Sequence, residues 1–143
     1  MSSPIRIDSF CLKKLSLKWK DGKENITSAS QLDFSFNLKG RKDDENELMV
    51  SLFVNGKPDN DLEGLIIDVE ICGIFTKLDT SKEDFFYFVN AANILYGILR
   101  GQLSMLSASF PSGSIILPTV MMNEKITEFL QKSSKKKKVI PKR

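Results

Sequence analysis

The chain contains no histidine. That removes the side chain most often used as a general base or metal ligand near neutral pH. Its two cysteines, Cys11 and Cys72, are isolated and form no CxxC pair, so they cannot make a zinc site alone. Reduced, half-buried thiols are expected, with a disulfide as the alternative. GxxxxGK, GxGxxG and GxSxG are all missing, which leaves no phosphate-cradling loop and no nucleophile elbow. The opening residues, MSSPIRIDSF, lack the basic region and apolar run of a signal peptide. No window suits a membrane span, because the best candidate holds Asn90, Asn93, Arg100 and Gln102. These absences predict a cytoplasmic, non-enzymatic protein with no cofactor, no metal and no membrane insertion. Asp68 and Glu70 sit at strand spacing on an open sheet face, and Asp43-Asp44-Glu45 falls in a charged connection. Neither is read as a dyad or a metal cluster.

What remains is ordinary in amount and uneven in placement. At 143 residues and 41% hydrophobic content the chain can build one cored domain. Net charge is +3, yet Lys132, Lys135, Lys136, Lys137, Lys138, Lys142 and Arg143 crowd the last twelve positions without an acid. Setting those seven aside leaves 14 basic and 18 acidic residues, a body near −4. A nucleic-acid reader needs a basic folded face, so no nucleic-acid partner is expected. Residues 1–131 are read as the domain and 132–143 as a basic, disordered, solubilising tail.

From Phe85 to Asn123 the sequence carries a single charge, Arg100. Ala92, Leu95, Tyr96, Leu99, Leu103 and Leu106 recur at helical spacing. Ile94, Ile98 and Met105 extend the apolar surface almost around the helix, which therefore needs cover on more than one side; a second subunit is the economical answer. Gly97, Gly101, Ser104 and Ala108 form a small-residue stripe along which another backbone can approach. After Phe110-Pro111 the helix must end, and the segment that follows stays apolar through Ile115, Ile116, Leu117, Val120, Met121 and Met122. An apolar loop predicts either an exposed patch or a subunit interface. Both belong to a protein that touches other polypeptides.

Four strands precede that helix. In residues 4–19, Ile5 and Ile7 share one parity, Phe10 and Leu12 the other, and Leu15, Leu17 and Trp19 return to the first. Such shifts predict a long strand broken by bulges. Leu32, Phe34, Phe36 and Leu38 alternate cleanly, as do Leu48, Val50, Leu52 and Val54, and then Leu65, Ile67, Val69, Ile71 and Phe75. Gly73 inside the last strand marks a bulge or a close approach. A short second helix is expected from about Glu124 to Gln131, with Ile126, Phe129 and Leu130 on its apolar face. Strands first and helices after predict an α+β fold: a four-stranded antiparallel sheet with a long helix and a short C-terminal one.

Several residues in order resemble the SecB family of export chaperones. Val69–Thr76 reads VEICGIFT; Asn93-Ile94-Leu95-Tyr96 follows with Arg100; then come Ser109-Phe110-Pro111 and Ile116, Leu117, Pro118 and Val120. The family shows V-x-x-G-G-I-F, a helix opening N-I-L-F with a later arginine and ending at F-P, and an L-A-P-V loop. The match covers roughly the second half of the chain. The resemblance implies a nucleotide-independent holdase that binds unfolded or aggregation-prone polypeptide in apolar grooves. It also implies a homotetramer, a dimer of dimers packed through the long helices, at Tyr96, Gly97, Arg100, Gly101 and Ser104. The groove is expected to draw on Trp19, Ile26, Phe75, Leu117, Met121, Met122 and Phe129, with core packing and groove weighed equally for Phe75. Met and aromatic side chains suit such a surface because they repack around different partners. Export-type members dock the motor ATPase SecA on an acidic outer sheet face. Here Ile66 and Asp68 fit that pattern, whereas Lys14 and Lys18 stand where the family has acids, and Cys72 replaces the first glycine of the strand motif. A dedicated client, such as an antitoxin, is therefore favoured over general delivery of preproteins to SecA. A non-chaperone adaptor and a small-molecule binder are the readings from other classes.

Overall fold

A computed structural model of the chain describes residues 4–20, 31–41, 44–57, 64–108 and 115–139. Strands β1 (Ile5–Lys20), β2 (Leu32–Arg41), β3 (Asp44–Gly56) and β4 (Gly64–Lys77) precede helices α1 (Asp84–Leu106) and α2 (Met122–Val139). The sheet is antiparallel in the order β1-β4-β3-β2. Segregated strands and helices give the expected α+β architecture. Helix α1 lies across β3 and β4 and reaches β1, while α2 lies on β2.

Strand β1 bends where its parity shifts. Its register against β4 slips between Ile7 and Ser9 and again between Leu12 and Lys14, which makes Asp8 and Lys13 the extra residues. Each slip returns the apolar set to the helix side: Ile7 opposes Phe75, Leu12 opposes Ile71, and Leu15 opposes Val69. The first bulge is stapled across the sheet. Asp8 accepts hydrogen bonds from Thr76 Oγ1 and from Arg6 Nε at 2.9 Å. These two bonds, the Thr76 bond first, hold its carboxyl below the usual range.

The inner face of the sheet forms the core. Val50, Leu52, Leu65, Ile67, Val69 and Ile71 meet Tyr87, Ala91, Leu95 and Leu99 of α1, all of them buried. Gly73 explains how Phe75 fits. A Cβ at Gly73 would stand 2.7 Å from Cε1 of Phe75 and 2.9 Å from Cδ2 of Leu95. The missing side chain thus lets the Phe75 ring lie over the strand backbone, so the expected close approach is the case here. At the sheet-to-helix corner, Tyr87 donates its hydroxyl hydrogen to the Asp79 carbonyl and accepts from the Lys82 amide at 3.1 Å.

Two boundaries differ from the sequence reading. Helix α1 stops at Leu106, with Ser107 as its C-cap, rather than running to Phe110-Pro111. Helix α2 begins at Met122 and continues to Val139, eight residues beyond Gln131, so the backbone of Lys135–Lys138 is helical where a disordered tail was expected. Lysine is a good helix former, and cations complement the negative end of the helix dipole.

Candidate functional site

The segment from Ile115 to Met121 forms neither helix nor strand, and burial nearly alternates along it until α2 opens at Met122. Ile115, Leu117 and Met122 are fully covered and Val120 nearly so, whereas Ile116 is 71% exposed and Met121 58%. The sequence predicted an apolar loop whose surplus must be exposed or shared with a subunit. Four of those six side chains are instead core of the same chain, and two, Ile116 and Met121, face outward.

Two side chains of α1 and its C-cap Ser107 hold this crossover in place. Tyr96 donates its hydroxyl to the Pro118 carbonyl at 2.6 Å, and Arg100 Nε donates to the Leu117 carbonyl at 3.1 Å. Ser107 donates to the Leu103 carbonyl at 2.5 Å and accepts from the Ile115 amide at 2.6 Å, all within the core. Residues 96, 100, 103 and 107 share one helix face, so one side of α1 satisfies two carbonyls and one amide of the crossover backbone. Tyr96 and Arg100, expected at an oligomer interface, are thus engaged with the crossover of the same chain. Tyr96 is buried and stacks edge-on against Phe34 at 5.7 Å, and Arg100 sits 5.9 Å from the Tyr96 ring. Gly97 and Gly101 do remain on the open side, with nothing within 4 Å of a Cβ built on either. Ser104 is half-buried beside them.

Burial raises the Tyr96 phenol to about 12, offset in part by the Arg100 charge. The folded pKa lies above the ordinary value of 10.0, so the folded state holds this proton more tightly than the unfolded chain. The associated stability is complete below about pH 10 and disappears as pH rises through about 12. Tyr96→Phe should therefore flatten the fall in stability between those pH values. Urea midpoints measured at pH 9 and pH 11 for both proteins check this; parallel declines would contradict it.

The other predicted groove residues scatter. Phe75, Leu117 and Met122 are core, at 0%, 0% and 1% exposure. The sheet, α1 and the crossover close over all three. Phe129 is half-buried and stacks on Phe36 at 5.6 Å. Met121 is open. Trp19 has its backbone in β1 opposite Leu65, and Ile26 lies outside the described residues. Leu130, at 45% exposure, adds a further open apolar group on α2. A cleft of about 50 Å³ runs between β2 and α2, lined by Phe34, Lys125, Glu128, Phe129 and others. Sequence reasoning missed Ile116. Its position between Ile115 and Leu117 in a run of three apolar residues was the available signal.

Among the described residues no helix packs on the outer sheet face. Lys14 opposes Glu70 in register and reaches Asp68 Oδ2 at 2.5 Å, while Lys18 opposes Ile66. The exposed Lys14–Asp68 pair adds little stability, but it neutralises the acid that an acidic docking face would present. Among the described residues no three Cys, Asp or Glu side chains gather to hold a metal. Nor is any described helix long and apolar enough to cross a membrane.

No family model matches the chain, and no curated protein matches it. Among solved structures, a SecB-like chaperone of Mycobacterium tuberculosis, in complex with a ChAD peptide from the HigA1 antitoxin, is similar to it. The likeness covers 82% of this chain and 91% of that one, with a TM-score of 0.53 and 14% sequence identity. The fold is SecB-like. Within this SecB-like fold the sheet, the long helix and the crossover stand in the order that the VEICGIFT, NILY and ILP segments announced.

Proposed function

We propose that the protein is a nucleotide-independent holdase that binds unfolded or aggregation-prone polypeptide, with a dedicated client such as an antitoxin. The observation that carries this reading is the exposed apolar surface of the crossover and α2: Ile116, Met121 and Leu130 stand open and Phe129 half-buried on a SecB-like fold. Flexible Met and aliphatic groups accept irregular apolar segments. The similar mycobacterial chaperone was solved with an antitoxin peptide, which supports a polypeptide client here. The Lys14–Asp68 pair favours a dedicated client over export, because a lysine among the acids repels the basic partner that such a face would dock. The protein works in the cytoplasm as a homotetramer, a dimer of dimers. The open stripe of Gly97, Gly101 and Ser104 gives a second long helix room to approach.

The test is light scattering from a chemically unfolded model protein diluted into buffer with no nucleotide. Suppression at near-stoichiometric chaperone is expected. No suppression at tenfold excess would remove the holdase reading and leave the adaptor. Titration with a SecA tail peptide then separates the two client classes: weak or no binding is expected, and submicromolar affinity would restore the export role.

A further inference from the structure

Cys11 and Cys72 are direct cross-strand neighbours, opposed in register between β1 and β4 on the outer face of the sheet. The bulge makes them so. From Lys14↔Glu70 to Lys20↔Gly64 the paired numbers keep one offset, and carrying it onward would set Cys11 against Gly73. The extra residue Lys13 shifts the register by one and sets Cys11 against Cys72 instead. Opposed Cα atoms in antiparallel strands stand about 4.5 or 5.5 Å apart, according to the type of pair. A disulfide spans Cα separations of about 4.4–6.8 Å, so either type of pair admits one. Both thiols are free in the structure, Cys11 exposed and Cys72 at 8% exposure.

We infer that this pair is a thiol–disulfide modification site, reduced at rest and closed by a peroxide. The exposed Cys11 thiolate attacks one peroxide oxygen; the O–O bond breaks, water leaves, and Cys11 becomes a sulfenic acid. The Cys72 thiolate then attacks Cys11 Sγ and expels hydroxide, which takes up a proton as a second water. Two electrons pass from the two sulfurs to the peroxide, and an S–S bond replaces two S–H bonds. Two molecules of a small thiol such as glutathione reverse the step by successive exchange, the first forming a mixed disulfide and the second releasing it as the small thiol's own disulfide. The bridge fixes the segment of β1 that lies between its two bulges to the centre of the sheet. It forms or fails whatever the chain binds.

The experiment treats the full chain with hydrogen peroxide at several protein concentrations and follows intact mass, peptide maps and Tm. Expected is a loss of about 2 Da, the two thiol hydrogens, independent of concentration and mapped to a Cys11–Cys72 peptide. Dithiothreitol should reverse it, and Cys11→Ser and Cys72→Ala should each abolish it. Because the bridge closes a loop of about 60 residues, Tm should rise by about 5 °C or more. Intermolecular disulfides alone, or Cys11 oxidised to sulfinic acid with Cys72 still reduced, would overturn the assignment. A bridge that leaves Tm unchanged or lower would overturn the fixing of β1.

Discussion

Phe75→Ala is expected to lower the free energy of unfolding by about 3–5 kcal/mol, the usual cost of truncating a fully buried aromatic side chain. That is a large share of a total of about 5–15 kcal/mol for a small domain. The ring has no solvent exposure and lies over Gly73 beside Leu95, so its removal leaves a cavity that β4 and α1 cannot close without moving. Phe75→Leu keeps most of the volume and should cost much less. Urea denaturation followed by circular dichroism measures both. The result also decides between two roles that the sequence weighed equally. A groove residue would lose client binding on truncation and keep its stability, while a core residue loses stability first. A destabilisation under about 1 kcal/mol would place Phe75 in a groove after all.

The second large effect is on binding. Replacing Ile116 and Met121 together by aspartate should cut the suppression of aggregation by about tenfold or more, with the unfolding midpoint nearly unchanged. Each side chain is more than half exposed, so the folded state loses little from the change. A client that covers them loses most of the transfer free energy of two large apolar groups, about 1.5–3 kcal/mol each, and meets two charges in their place. Leu78→Asp, between β4 and the start of α1 and 53% exposed, is the control and should have little effect. Full suppression by the double variant with an intact fold would move the client surface away from the crossover.

The strand pattern was legible to a fine grain. The two parity shifts in β1 located both bulges, because each extra residue must turn the next apolar side chain back to the core face. Alternation in β2, β3 and β4 named the inner face residue by residue. The candidate site was legible only in its composition. Phe75, Leu117 and Met122 look as suited to a groove as Met121 does, and Tyr96 and Arg100 look suited to an interface. The structure buries Phe75, Leu117 and Met122 in the core and turns Tyr96 and Arg100 onto the carbonyls of Pro118 and Leu117.

By itself the sequence determined the elements, their order, the face each strand buries and the apolar excess between Phe85 and Asn123. These follow from local periodicity, which chain geometry converts directly into faces. The tertiary structure alone decided which members of that excess are covered, which face of α1 is tied to the crossover, and that Cys11 meets Cys72. Burial and opposition depend on what a distant segment places across the gap. Here an extra residue in β1, an empty Cβ position at Gly73 and the reach of two side chains on α1 settle those placements.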